Sequence, residues 1–203
     1  MQDLRNFGKC AIAAACLRVF QRRLARSISR FQIRTSLDDL IECVKDHMPD
    51  EETEGYVLPD ADDLAAWRTA VDAMLGGQCG PAALPSRLQT NYTMTPFTDA
   101  GKTYCVLVET TDADSNDVVD LGWGTFVFNP APDAKPLSMD VPHPLNDTDT
   151  PEEGIAVFKG TNARTFLMAG AHREANHDDS PCDDDYHVAD AAHNADHPFH
   201  AAI

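Results

Sequence analysis

Seven of the eight histidines lie at or after position 143: His143, His172, His177, His187, His193, His197 and His200. Imidazole and carboxylate are the ligands that zinc-type cations take, at about 2.0–2.1 Å. A catalytic centre of that kind uses three protein ligands and leaves one position to water. His143 stands in Val141-Pro142-His143-Pro144, where two prolines exclude a helix and stiffen the backbone. His172 follows the apolar run Thr165-Phe166-Leu167-Met168-Ala169 after only two residues. The third ligand stays open among Asp147, Glu152 and a histidine returning from the tail, with His193 placed first. Asp190 precedes His193 by three, so its carboxylate could orient an imidazole or accept a proton. Arg173 could clamp a carboxylate or steady a developing oxyanion, or simply pair with Glu174 or a nearby aspartate. Glu174 reads as a general base or as a solvated acid. The plain alternative is that His143 and His172 cap strand ends. The remaining tail histidines, His177, His187, His197 and His200, read as surface residues.

These side chains need a frame, and residues 135–174 supply one. Leu137-Ser138-Met139-Asp140-Val141 alternates apolar and polar, the period of a half-buried strand. Thr150-Pro151-Glu152-Glu153 opens a helix, with Thr150 as cap, Pro151 at the first position and two acids in the positive first turn. Gly160 is placed to end it. The run at 165–169 reads as a buried strand. If the two strands are parallel, the crossover puts both carboxyl ends on one edge of the sheet, where open α/β sheets place their sites. His143 and His172, 29 positions apart in sequence, then become neighbours.

Upstream, Ser36-Leu37-Asp38-Asp39 predicts a capped helix through about Met48. Asp60–Leu75 predicts a second, with Leu64, Trp67, Val71 and Met74 on one face and Gly76-Gly77 as its stop. Strands are expected over YTMTPF, TYCVLVET and VVDLGWGTFVFNP, the first two joined at Asp99-Ala100-Gly101. The fold class expected is therefore α/β: an antiparallel meander leading into a parallel strand–helix–strand unit. Asp112, Asp114, Asn116 and Asp120 are spaced like a calcium loop. Asp117 stands where that loop needs glycine and Trp123 where it needs glutamate, so a solvated loop is the default.

The chain has 203 residues and a net charge of −17, with 25 Asp against 8 Glu. The Asp-rich, Lys-poor balance suits a salt-tolerant protein. The charge is uneven. Residues 1–36 hold eight Lys and Arg against the single acid Asp3, a net +7, while the remaining 167 hold eight basic and 32 acidic groups, a net −24. That break divides the chain into a basic arm or organelle-targeting segment (1–36), one domain (37–175) and a His/Asp-rich tail (176–203). Localisation follows the arm: an organelle if it is a transit peptide, otherwise a soluble protein, with an extracellular setting the candidate. The acidic body argues against nucleic acid or an anionic membrane as partner, and no apolar run is long enough for a membrane span. A small-molecule or peptide substrate remains. Six cysteines show no zinc-finger spacing; Cys79–Cys105 is the disulfide to test first, with free buried thiols the alternative. The signatures of serine hydrolases (GxSxG), P-loop and dinucleotide-binding enzymes and HExxH metalloproteases are missing. The last residues, Phe199 to Ile203, read as a helix just beginning, a pattern a truncated product would also give.

Around VPHP the chain resembles zinc-dependent amidohydrolases of the N-formylglutamate amidohydrolase and zinc-carboxypeptidase-like group, over about 40 residues. That resemblance implies ligand roles for His143, for an acid among Asp147, Glu152 or Glu153, and for His172; the usual His-x-x-Glu spacing is absent. The expected activity is a metal-dependent hydrolase of an amide or ester bond, with zinc as cofactor. Asp190 or Glu174 would take the proton and Arg173 would hold an acidic part of the substrate. The alternative is a non-catalytic acidic module whose His/Asp tail binds metal or a partner. Metal-free acid–base chemistry by His143 and His172 with Arg173 is a third reading.

Overall fold

A computed structural model of the chain describes residues 36–202, so the basic arm falls almost wholly outside the described residues. Helix α1 (Leu37–Lys45) begins at the predicted cap: Ser36 and Asp39 exchange side-chain and backbone hydrogen bonds. Helix α2 (Ala61–Leu75) has the same device in Asp60 and Asp63 and buries the predicted face, Leu64, Trp67, Val71 and Met74, together with Ala70. Strands β1 (Tyr92–Asp99) and β2 (Lys102–Glu109) form a hairpin whose two-residue loop, Ala100-Gly101, has positive φ at both positions. Its twist therefore matches that of the paired strands.

β3 covers only Thr125–Phe128, four residues of the thirteen expected to be extended. Two features shorten it. The backbone N–H groups of Leu121 and Gly122 are taken by the Glu109 carboxylate rather than by a ladder. Gly124 has φ 109°, and a Cβ there would lie 2.2 Å from Met168 O. Side-chain capture and close backbone approach override the strand propensity of the segment.

β4 (Lys135–Val141), α3 (Thr150–Thr161) and β5 (Ala163–Met168) form the expected unit, and β4 and β5 are parallel. The sheet order is β1-β2-β3-β5-β4, so the fold is mixed α/β with one parallel pair in a five-stranded sheet. Details differ from expectation. β4 is an edge strand: Met139 and Val141 of its apolar face pack on the core, but Leu137 is 46% exposed. Pro136 is tolerated because its missing donor faces an open edge. Asp149, in the left-handed region, precedes α3 instead of Thr150, and Asn162, also left-handed, ends it instead of Gly160.

Alternate residues along the strands feed two cores. Leu107, Phe126 and Leu167 pack with α2, while Val106, Val127 and Phe166 pack with α1 and α3. Truncating a fully buried ring such as Trp67 or Phe166 costs about 3–5 kcal/mol. The C-terminal segment enters the first core: Val188, Ala189, Ala191, Phe199 and Ala201 are buried there. It carries a short β6 (Asp179–Ser180), β7 (Asp183–His187) and α4 (Pro198–Ala201). Cys79 and Cys105 form the expected disulfide, and Cys182 is free and exposed. Among the described residues no helix is long and apolar enough to cross a membrane.

Candidate metal centre at the strand ends

The register of the parallel pair sets the site. Val141 lies opposite Met168, and Ala169 N–H donates to Val141 O, so both strands leave the sheet at one edge. A Cβ on Gly170 would sit 2.2 Å from Gly124 N, a contact that only glycine permits, and His172 follows two residues later. Asp147 N–H donates to His143 O and closes the turn that carries His143. Asn146, in the same turn, lies 3.3 Å from His172 Nε2, so the two histidines share a rim as the topology requires.

Their roles differ. His172 is 7% exposed, and its Nδ1 accepts Glu174 N–H at 3.1 Å. With Nδ1 accepting from Glu174 N–H and Nε2 facing the Asn146 amide, both ring edges are already engaged. The histidine that gathers other ligand atoms is His143. Its Nε2 lies 2.9 Å from Asp190 Oδ1, and His193 Nδ1 lies 3.1 Å from Asp190 Oδ2, though off the line of a hydrogen bond. Ligand atoms of His143, Asp190 and His193 all fall within 4.8 Å of one another. The edge of a tetrahedron with arms of about 2.0–2.1 Å is about 3.4 Å, so small outward movements would admit a zinc-type ion.

The tail delivers its two members on a tightly bonded turn. Ala192 N–H donates to Asp190 Oδ1, His193 N–H to Asp190 O, Ser180 Oγ to His193 O and Asn194 Nδ2 to Val188 O. The His193 ring stacks on Tyr186, centroids 3.5 Å apart and planes within 2°. Asp190 is 2% exposed. Burial alone would raise its pKa, but hydrogen bonds from His143 and Ala192 and the charge of His143 hold it down at about 2. The same bond to Asp190, against some burial, pushes His143 upward, and Arg173 opposes this.

The other predicted residues are placed as follows. Asp147 Oδ2 lies 3.4 Å from His143 Nδ1. Glu152 is outside the group, in an ion pair with Lys45. Glu153 is exposed in the first turn of α3. Arg173 Nε pairs with Glu174 at 3.3 Å, the plainer of its two readings, and both are partly exposed on the rim. His197, expected on the surface, is fully buried. It stacks on Tyr56, and burial brings its pKa down to about 3. Asp112, Asp114 and Asp120 also approach one another, but every oxygen is engaged within the loop, by N–H groups of Ala113, Asn116 and Asp117 and by the Asn116 amide.

From its sequence neighbours Asp190 reads only as an orienting or proton-accepting group, and Asn146 and Tyr186 are not singled out at all. A signal for Asp190 was present: a lone acid inside Val188-Ala189-Asp190-Ala191-Ala192 is set among residues that bury it, and a buried carboxylate needs a partner. No protein-family model, curated protein or solved structure matches the chain.

Proposed function

We propose that the protein is a metal-dependent hydrolase of an amide or ester bond, with zinc held by His143, Asp190 and His193. The observation that carries this reading is the convergence of two imidazoles and one buried carboxylate from segments 47 positions apart. Two of the ligands from sequence, His143 and His193, are kept; Asp190 replaces His172 as the third. When bound, zinc would polarise a carbonyl and lower the pKa of a coordinated water. With Asp190 among the ligands, Glu174 is left as the proton acceptor, on the partly exposed rim beside His172. Arg173 is the cation whose charge reaches His143. It suits the acidic part of a substrate or the developing oxyanion. His193, 38% exposed in its side chain, gives the group its open side.

The test is metal analysis of the purified protein beside His143→Ala, His193→Ala and His172→Ala, followed by hydrolysis of a panel of amides and esters with and without a carboxylate. One zinc per chain, lost in the first two variants and kept in the third, with metal-dependent turnover, is the expected result. Stoichiometric zinc without turnover of any substrate would favour a binding module. Absence of stoichiometric zinc in the parent would end the reading.

A further inference from the structure

We infer that Asp147 is the residue that orients His143 toward the metal, not a fourth ligand. The inference rests on the zinc reading above and deepens it. The two nitrogens of an imidazole lie on different ring edges, and their lone pairs diverge. In His143 each edge faces its own carboxylate: Nε2 faces Asp190 Oδ1 at 2.9 Å, and Nδ1 faces Asp147 Oδ2 at 3.4 Å. Only the Nε2 edge belongs to the group formed with Asp190 and His193. For Asp147 to join that group it would have to abandon Nδ1 and pass round the ring.

Its backbone resists that move. Asp147 N–H is tied to His143 O at 3.1 Å, and Asp147 O accepts the Thr150 hydroxyl at 3.0 Å. Pro142 and Pro144 stiffen the chain on both sides of His143. The carboxylate therefore stays near Nδ1, half exposed at its side chain. Once a cation displaces the Nε2 proton that the zinc-free ring gives to Asp190, a carboxylate accepting Nδ1–H would hold the remaining proton and raise the basicity of Nε2. Removal of such a partner weakens metal binding about 10–100-fold. The 3.4 Å separation is longer than a formed hydrogen bond, and catalytic contacts of this kind tighten when the centre is loaded. His193 has no such carboxylate on its far edge among the described residues; the Tyr186 stack sets its plane instead.

The experiment is zinc competition against a chromophoric chelator, using the full chain, Asp147→Ala, Asp147→Asn and His143→Ala. Imidazole ¹⁵N shifts would read the His143 tautomer in the same samples, and circular dichroism would verify folding. Expected are one zinc per chain throughout the Asp147 variants and a 10–100-fold weaker affinity in Asp147→Ala. Asp147→Asn should fall between, because its amide oxygen still accepts Nδ1–H without the charge. The zinc-free Asp147→Ala protein should hold the His143 proton on Nε2, against Asp190. Unchanged affinity in Asp147→Ala would overturn the orienting role and leave the zinc reading intact. A loss beyond a thousandfold would assign Asp147 as a ligand and overturn it too. Zinc binding unaffected by His143→Ala would remove the zinc reading, and this inference with it.

Discussion

Asp190 and Glu109 are carboxylates buried to similar depth, 2% and 4% exposed, and their environments drive them in opposite directions. Asp190 faces two imidazoles and stays ionised, at about 2. Among the described residues Glu109 has no cation beside it. Burial pushes it up to about 8, although backbone N–H groups of Leu121, Gly122 and Trp123 favour its charge. The Tyr92 hydroxyl also reaches it, at 3.5 Å. Backbone dipoles can hold a loop in place, but here they do not offset desolvation as an imidazolium does. The Asp190 region is thus built to keep a charge, the Glu109 region to bind a loop. That difference is the physical reason to look for chemistry at the first and structure at the second.

The largest expected effect comes from breaking the first region. Asp190→Ala should abolish stoichiometric zinc binding and destabilise the metal-free protein by about 2–4 kcal/mol, because His143 loses its charged partner. Isothermal titration and urea unfolding check the two parts. Equal stability of parent and variant would show that the His143–Asp190 contact is not formed in solution.

The second effect concerns pH. Glu109 has a folded-state pKa above its unfolded value of about 4.3, so the folded protein holds that proton more tightly. Its contribution is full below about pH 4.3 and is lost as pH rises through about 8. Stability should therefore fall between pH 5 and pH 8, by a few kcal/mol at most, and Glu109→Gln should flatten that slope. Thermal melts across this range decide it. A parallel decline in both proteins would move the cause elsewhere.

A smaller effect is expected at Tyr186. Tyr186→Ala should weaken zinc binding several-fold, since an aromatic stack is worth about 0.5–1.5 kcal/mol, while Tyr186→Phe should be silent. Chelator competition separates the two. The smallest effect belongs to Glu152, predicted from sequence as a ligand and found paired with Lys45. Glu152→Ala should leave zinc affinity unchanged and cost no more than about 1 kcal/mol in urea unfolding, the range of an exposed ion pair.

Local chemistry determined much of this protein by itself. Capping acids and an apolar face specified α1 and α2, Ala100-Gly101 specified the hairpin, and paired prolines put His143 beyond the end of a strand. Each of these rests on residues within a few positions of one another, where steric limits and backbone hydrogen bonds act without help from the rest of the chain. The rim itself was legible, because parallel strands joined by a helix must end on the same edge. The membership of the group was not. Asp190 and His193 reach His143 only because Val188, Ala189, Ala191 and Phe199 bury the tail against the sheet. His172 is withdrawn by hydrogen bonds to Glu174 N–H and Asn146. The extent of β3 was likewise decided at a distance, by Glu109 and by the approach of Gly124 to β5. Composition can say that an acid is near a histidine in sequence; which nitrogen it meets depends on how separate segments pack.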